Sequence, residues 1–153
     1  MNLNTYLLFN GDCEEAFKFY ERTLGGKIEF LMTHANSPQP QESFPAEWGN
    51  KVMHACLVAG ENVLMGSDIP PSCYEKPAGF SISLKLKDVA DAERTFSALA
   101  ENGAVKMPLQ ETFWAHRFGM LVDRYGVPWM VNCERTFAQI ASHIAEPVTA
   151  SHS

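Results

Sequence analysis

An order of elements that occurs twice limits this chain more than any other feature of its sequence. An apolar strand over 3–9 is followed by a helix over 13–24, where Ala16, Phe17, Phe19, Tyr20 and Leu24 recur at helical spacing and Gly25-Gly26 ends the run. Strands over 28–32, 51–58 and 63–65 complete the first half, with Gly60-Glu61-Asn62 as the turn between the last two. The second half repeats the order: a strand over 80–86, a helix over 89–100 behind Asp88, then strands within 107–134. Single positions match as well. Asp12, Ala16, Tyr20 and Gly26 answer to Asp88, Ala92, Phe96 and Gly103, and 60–65 lines up with 126–131. Two copies are too few for a stacked array. The expected fold is therefore α+β, with tandem βαβββ modules at about 1–67 and 78–134 forming one domain over 1–134. Each module's strands curve into a half-open barrel, with the helix outside and a cavity inside.

Composition excludes several classes of function. At 153 residues the chain suits one domain or two small halves. A net charge of −6 and the lack of a basic run argue against nucleic acid, which demands clustered Lys and Arg. No run of 18 apolar residues offers a membrane span, and the first ten residues do not read as a secretory signal. The four cysteines, Cys13, Cys56, Cys73 and Cys133, have no C-x-x-C spacing, so reduced thiols in a cytoplasmic protein are expected.

Chemistry-bearing side chains concentrate in 107–134. Gln110, Thr112, Trp114 and His116 fall at every second position, so one continuous strand would place them on one face, extended by Phe118, Met120 and Val122. Asp123-Arg124-Tyr125-Gly126 reads as a turn, and 127–133 as the returning strand. Such a hairpin resembles a pocket wall. The apolar alternation Phe80, Ile82, Leu84, with Trp114 and Met130, would supply the remaining walls. The expected ligand-binding set is thus Phe80, Ile82, Gln110, Thr112, Trp114 and Met130.

Three residues are candidates for catalysis, each with a plainer alternative. His54 is either a pocket base or ligand, or a hydrogen-bonded core histidine. His116 is either a general base near neutral pH or a histidine on the rim. Glu111 is either a carboxylate raised by aromatic neighbours or, from its parity opposite Gln110, a solvated one. Trp114 and Trp129 either stack on a flat ligand or belong to the core. The stretch 34–50, rich in Pro, Ser and Gln, is a long loop of the kind that acts as a lid or partner contact. Beyond Glu134 an amphipathic segment carries Phe137, Ile140 and Ile144, and a tail from Glu146 is expected to lack order.

Four motifs carry a family resemblance: YLLFNG (6–11), AFKFYERTLGG (16–26), VMHA (52–55) and QETFWAHRFGMLVDRYGVPWMVN (110–132). Through them the chain resembles the vicinal oxygen chelate superfamily of glyoxalases, bleomycin-resistance proteins and extradiol dioxygenases. Within it the likeness is to the PhnB-like branch, often labelled 3-demethylubiquinone-methyltransferase-like. The resemblance implies paired βαβββ modules, a cavity for each curved sheet, and a homodimer. It also implies a divalent metal held by His, Glu or Gln from the first strand of each module and the last strand of the second. Those positions fall near Thr5, near Ile82 and at Met130, where no carboxylate, imidazole or amide stands. No metal or other cofactor is therefore expected. A literal methyltransferase would need a Gly-rich turn between a strand and a helix, whereas Gly25-Gly26 follows a helix.

Three functions follow as alternatives. The first is a metal-free module enclosing a small apolar or aromatic molecule in its barrel cavity. The second is an enzyme of this superfamily, a lyase, isomerase or dioxygenase-like protein, using a divalent metal or acid–base work by His54, Glu111 and His116. The third is a protein-interaction module acting through the 34–50 loop. The first agrees best with the apolar faces.

Overall fold

The computed structural model describes residues 1–38 and 45–145. The chain divides into two compact units, Met1–Lys76 and Pro77–Ser153.

In the first unit, β1 (Thr5–Phe9), α1 (Cys13–Leu24), β2 (Lys27–Thr33), β3 (Val52–Ala59) and β4 (Asn62–Asp68) build a four-stranded sheet in the order β1-β4-β3-β2. β1 runs parallel to β4, and the other neighbours are antiparallel. Alternation in Thr-Tyr-Leu-Leu-Phe sends Leu7 and Phe9 into the core and leaves Tyr6 and Leu8 on the opposite face. On α1 the residues Cys13, Ala16, Phe17, Phe19 and Tyr20 form the buried stripe. Phe9, Phe17 and Tyr20 interlock edge to face, with centroids 6.1 Å apart in both pairs. Burying one such ring stabilises the fold by about 1.5–3 kcal/mol. Gly25 ends α1 in the left-handed conformation, with φ 72°.

Asp12 holds the position just before α1 but makes no side-chain cap there. The free amide of Cys13 instead donates to Asp68 Oδ1 (3.0 Å), while Asp68 Oδ2 accepts from the Val52 amide (2.9 Å). One buried carboxylate thus ties the helix start to two strands. Burial also pushes the Cys13 thiol well above its ordinary value, with Asp68 adding to the effect. The side chain is a small core hydrophobe, held neutral.

The second unit repeats the plan with β5 (Ile82–Lys85), α2 (Val89–Ala100), β6 (Ala104–Gln110), β7 (Ala115–Val122) and β8 (Pro128–Glu134), in the order β5-β8-β7-β6. A further helix, α3 (Phe137–Ala145), follows. α2 packs Ala92, Thr95, Phe96 and Leu99 against its sheet. Register shifts in both sheets mark irregular pairing, which bends and twists strands into curved surfaces. The α+β architecture of two curved, helix-backed sheets agrees with the sequence expectation.

One expectation needs correction. Gln110 to Val122 is not one strand: β6 ends at Gln110, and 111–114 form a turn into β7. Thr112 makes that turn, its amide donating to the Ala115 carbonyl (3.0 Å) and its hydroxyl accepting from the Ala115 amide (3.0 Å). These local bonds compete with strand pairing, so the alternation across the region does not define a face. The described part of the 34–50 stretch is a loop, as expected, and is ordered by its own bonds. The His34 amide donates to Lys51, the Ala35 amide donates to Gly49, and Ala46–Trp48 form a 3-10 turn. Residues 39–44 of that loop and the tail from 146 lie outside the described residues.

Candidate functional site

Each helix covers one face of its sheet, and the opposite face is open. On the open face of the first unit, strand register aligns Tyr6, Met65, Cys56 and Phe30 in a row across all four strands, with Met32 opposite His54 beside it. Val52 and Ala55 both point to the core although three residues apart, and β2–β3 pairing slips opposite them. His54 lies on the open face by alternation with Cys56, and the irregularity at Met32/Thr33 is what returns Val52 to the core side. The Tyr6 side chain reaches across β4, placing its hydroxyl 3.1 Å from His54 Nδ1. The two rings lie nearly parallel, 23° apart with centroids at 5.6 Å, and Phe30 tilts against the imidazole from the other side at 5.8 Å. Tyr6, Leu8 and Phe30 remain 45%, 45% and 43% exposed, an unusual degree for large apolar groups sharing one surface.

In the second unit, Ser83, Met130, Met120 and Met107 form one row of the open face, and Lys85, Asn132, Phe118 and Gln110 form the next. Three thioethers in a row make an adaptable wall. Trp114 stands at the edge, packing edge-on against Phe118 (5.5 Å) and Phe113 (5.0 Å). Lys85 pairs with Glu134 at 2.6 Å, and the Asn132 amide donates to the same carboxylate at 3.2 Å. Asn132 Oδ1 is buried with no partner among the described residues, leaving one acceptor on this face. A cleft of about 590 Å³ opens between Trp114, Lys85, Glu134, Arg135, Thr136, Phe137 and Ile140.

The predicted site residues separate. Met130, Gln110 and Trp114 belong to the open side of the second unit, and Trp114 also lines the cleft. Ile82 and Leu84 stand in register with Trp129 and Val131, which are buried on the helix side. Ile82 is therefore on the face opposite Met130 and walls nothing with it. The inversion follows from strand parity, since β5 offers Ser83 and Lys85 to the open side. Phe80 precedes β5 and is half exposed, and Thr112 is committed to its turn. Trp129 is core, its indole N–H donating to Asp123.

Of the catalytic candidates, His54 is in the first unit, and Glu111 and His116 are in the second. Glu111 is paired with Arg135, whose Nε also donates to the Thr112 carbonyl (3.2 Å). That carboxylate is solvated and occupied as a charge partner. His116 sits beside the β7–β8 register shift, partly exposed. Sequence reading missed Tyr6, Phe30 and Met65. Alternation within 5–9 was the available signal for Tyr6, but only strand order brings it to His54.

The positions the resemblance implies for a metal, near Thr5, near Ile82 and at Met130, offer the open face only the neighbouring Tyr6 phenol and Ser83 hydroxyl and the Met130 thioether. These donors do not suit a hard divalent cation, so no step through such an ion is derived. Among the described residues no cluster of three His, Cys, Asp or Glu side chains is placed to share a metal, and no helix is long and apolar enough to cross a membrane.

Comparison with known proteins places this geometry. Residues 2–131 match the model of the Glyoxalase/Bleomycin resistance protein/Dioxygenase superfamily. Protein YjdN of Escherichia coli (strain K12) is 36% identical over 143 residues, covering 86% of this chain and 95% of YjdN. The crystal structure of PA1353 from Pseudomonas aeruginosa shares 50% identity with a TM-score of 0.81, covering 89% of this chain and 99% of that one. A PhnB protein from Bacillus cereus shares 27% identity with a TM-score of 0.70, covering 86% and 98% respectively. Together with the two βαβββ units, these matches show that the chain belongs to the Glyoxalase/Bleomycin resistance protein/Dioxygenase superfamily, in its PhnB-like branch.

Proposed function

We propose that this chain is a binding module that takes a small, partly apolar or aromatic molecule on the open faces of its sheets. The observation that carries the reading is the pair of faces left uncovered by their own helices, on which apolar side chains stand beside polar ones that can orient a ligand. Tyr6, Leu8, Phe30 and Met65 form one, and Phe118, Met120, Met130 and Trp114 the other. A site of this kind derives affinity from apolar burial and orientation from one or two hydrogen bonds. The enzymatic alternative has less support, because Glu111 is already engaged by Arg135.

The reading is tested by titrating isotope-labelled protein with naphthalene and following amide and methyl shifts. Perturbations should cluster on β1, β3 and β4 around His54, on β7 and β8 around Met120, or on both sets. A spectrum unchanged on both faces at the solubility limit of naphthalene would sink the proposal. Self-association into a homodimer is part of the same reading. It is supported by α3, where Phe137 and Ile144 stand 92% and 72% exposed with no core to enter. A solution mass of two chains by light scattering, returning to one chain in Phe137→Glu/Ile144→Glu, is the expected result. A single-chain mass at all concentrations rules the homodimer out.

A further inference from the structure

The pairing of Tyr6 with His54 defines what kind of molecule the first unit's open face accepts. We propose that this face recognises a neutral aromatic compound carrying an acceptor oxygen, such as an aryl ketone, and that His54 Nε2–H is the donor that reads it. The inference rests on the binding reading above and specifies its ligand class.

The donor's identity follows from acid–base chemistry. A single hydrogen bond joins the Tyr6 hydroxyl to His54 Nδ1 at 3.1 Å. A phenol is a much stronger acid than a neutral imidazole N–H, and an imidazole nitrogen accepts better than a phenol oxygen. The hydroxyl therefore donates to Nδ1, and the ring proton resides on Nε2. That second nitrogen has no hydrogen-bond partner among the described residues. Tyr6 is thus a positioning residue: it sets the tautomer and the ring plane of His54, leaving one outward donor of fixed direction.

The surroundings give the rest of the ligand. Tyr6 and Phe30 flank the imidazole with centroids 5.6 and 5.8 Å away, forming an aromatic floor on which a flat ring system can stack. Met65, Met32 and Cys56 border it, polarisable groups that adapt to differing outlines. Charge selects neutrality. The charged side chains of β2 are Lys27, opposite Val58 at its far end, and Glu29, exposed in the irregularity beside Phe30. A carboxylate or phosphate would lose its hydration here with no Lys or Arg in register beside His54 to compensate, and Glu29 would repel it. A carbonyl oxygen needs only the one donor present.

A matched pair of probes tests this with the intact chain: 2-acetonaphthone and 2-ethylnaphthalene, alike in size and differing in the acceptor oxygen. Calorimetric titration should show the ketone binding roughly five- to tenfold tighter to the wild type, the ratio expected of one net hydrogen bond. His54→Phe should abolish the preference for the ketone over 2-ethylnaphthalene, because the donor is gone for both probes alike. Tyr6→Phe should reduce the preference, and ¹⁵N shifts of the His54 ring should move from the Nε2–H tautomer of the wild type toward a mixture. Equal affinity of the two probes in the wild type, or a preference that survives in His54→Phe, overturns the inference and leaves the binding module standing. Failure of both probes to bind removes the binding reading itself and the inference with it.

Discussion

Replacing Asp123 by alanine should destabilise the protein by about 3–5 kcal/mol, among the largest effects open to a single substitution away from the candidate site. Asp123 is 3% exposed. Its Oδ1 accepts from the amides of Tyr125 (2.8 Å) and Val127 (3.0 Å), and its Oδ2 accepts from Trp129 Nε1 (2.8 Å). Alanine leaves these donors without that acceptor, one of them on a tryptophan that is 1% exposed. Each orphaned buried donor costs about 1–3 kcal/mol. Urea titration followed by circular dichroism measures the loss, and a thermal midpoint roughly 10 °C lower should accompany it. Asp123→Asn gives a sharper check. Its amide oxygen can serve the two backbone donors, but its NH₂ then faces the indole N–H, so a loss of about half the alanine value is expected. Adding Trp129→Phe to Asp123→Asn should recover part of that loss, because it removes the donor left facing a donor. A variant Asp123→Ala within 1 kcal/mol of wild type would mean that the carboxylate is not what holds the β7–β8 turn.

Gly119→Ala should cost about 2–3 kcal/mol, although alanine ordinarily stabilises a strand relative to glycine. A Cβ at this position would come within 2.7 Å of Phe96 on α2 and within 2.9 Å of the Leu109 backbone. The aromatic ring of the helix rests directly on the peptide of β7, and only glycine allows that approach. The same device recurs in the first unit, where a Cβ on Gly66 would come within 2.8 Å of Phe17 on α1. Denaturant midpoints for Gly119→Ala alone and in a Phe96→Leu background separate the contributions. If the ring sets the penalty, the substitution costs less once the ring is gone. Wild-type stability in the single variant would exclude a tight contact at this point.

Both effects bear on how much of this molecule could be read from its residues. The twofold βαβββ order was legible because it is local: apolar period, glycine stops and turn residues each act within a few residues of chain. α2 was located to the residue, and the turn at 123–126 was recognised from composition. What Asp123 does there was not legible, because its partner Trp129 is on the far side of the turn and looked equally fit to line a pocket. The same limit divided the candidate site. Parity along 110–116 suggested a face, but Thr112 bonds locally and breaks the strand. Parity along 80–84 correctly grouped Ile82 with Leu84, yet it could not say which side of the sheet they occupy. That depends on which face α2 covers.

By itself, then, the sequence determined the architecture and the family: two similar halves, each with one helix and four strands, and motifs of the PhnB-like branch spread over most of the chain. Tertiary structure alone decided which side chains meet. Tyr6 and His54 are far apart in the chain, and no periodicity links them. They come within hydrogen-bond distance because strand order places only β4 between β1 and β3 and because both side chains lie on the open face of that sheet. Strand order and register are settled by packing the whole sheet against its helix, a property of the assembled unit rather than of any stretch within it.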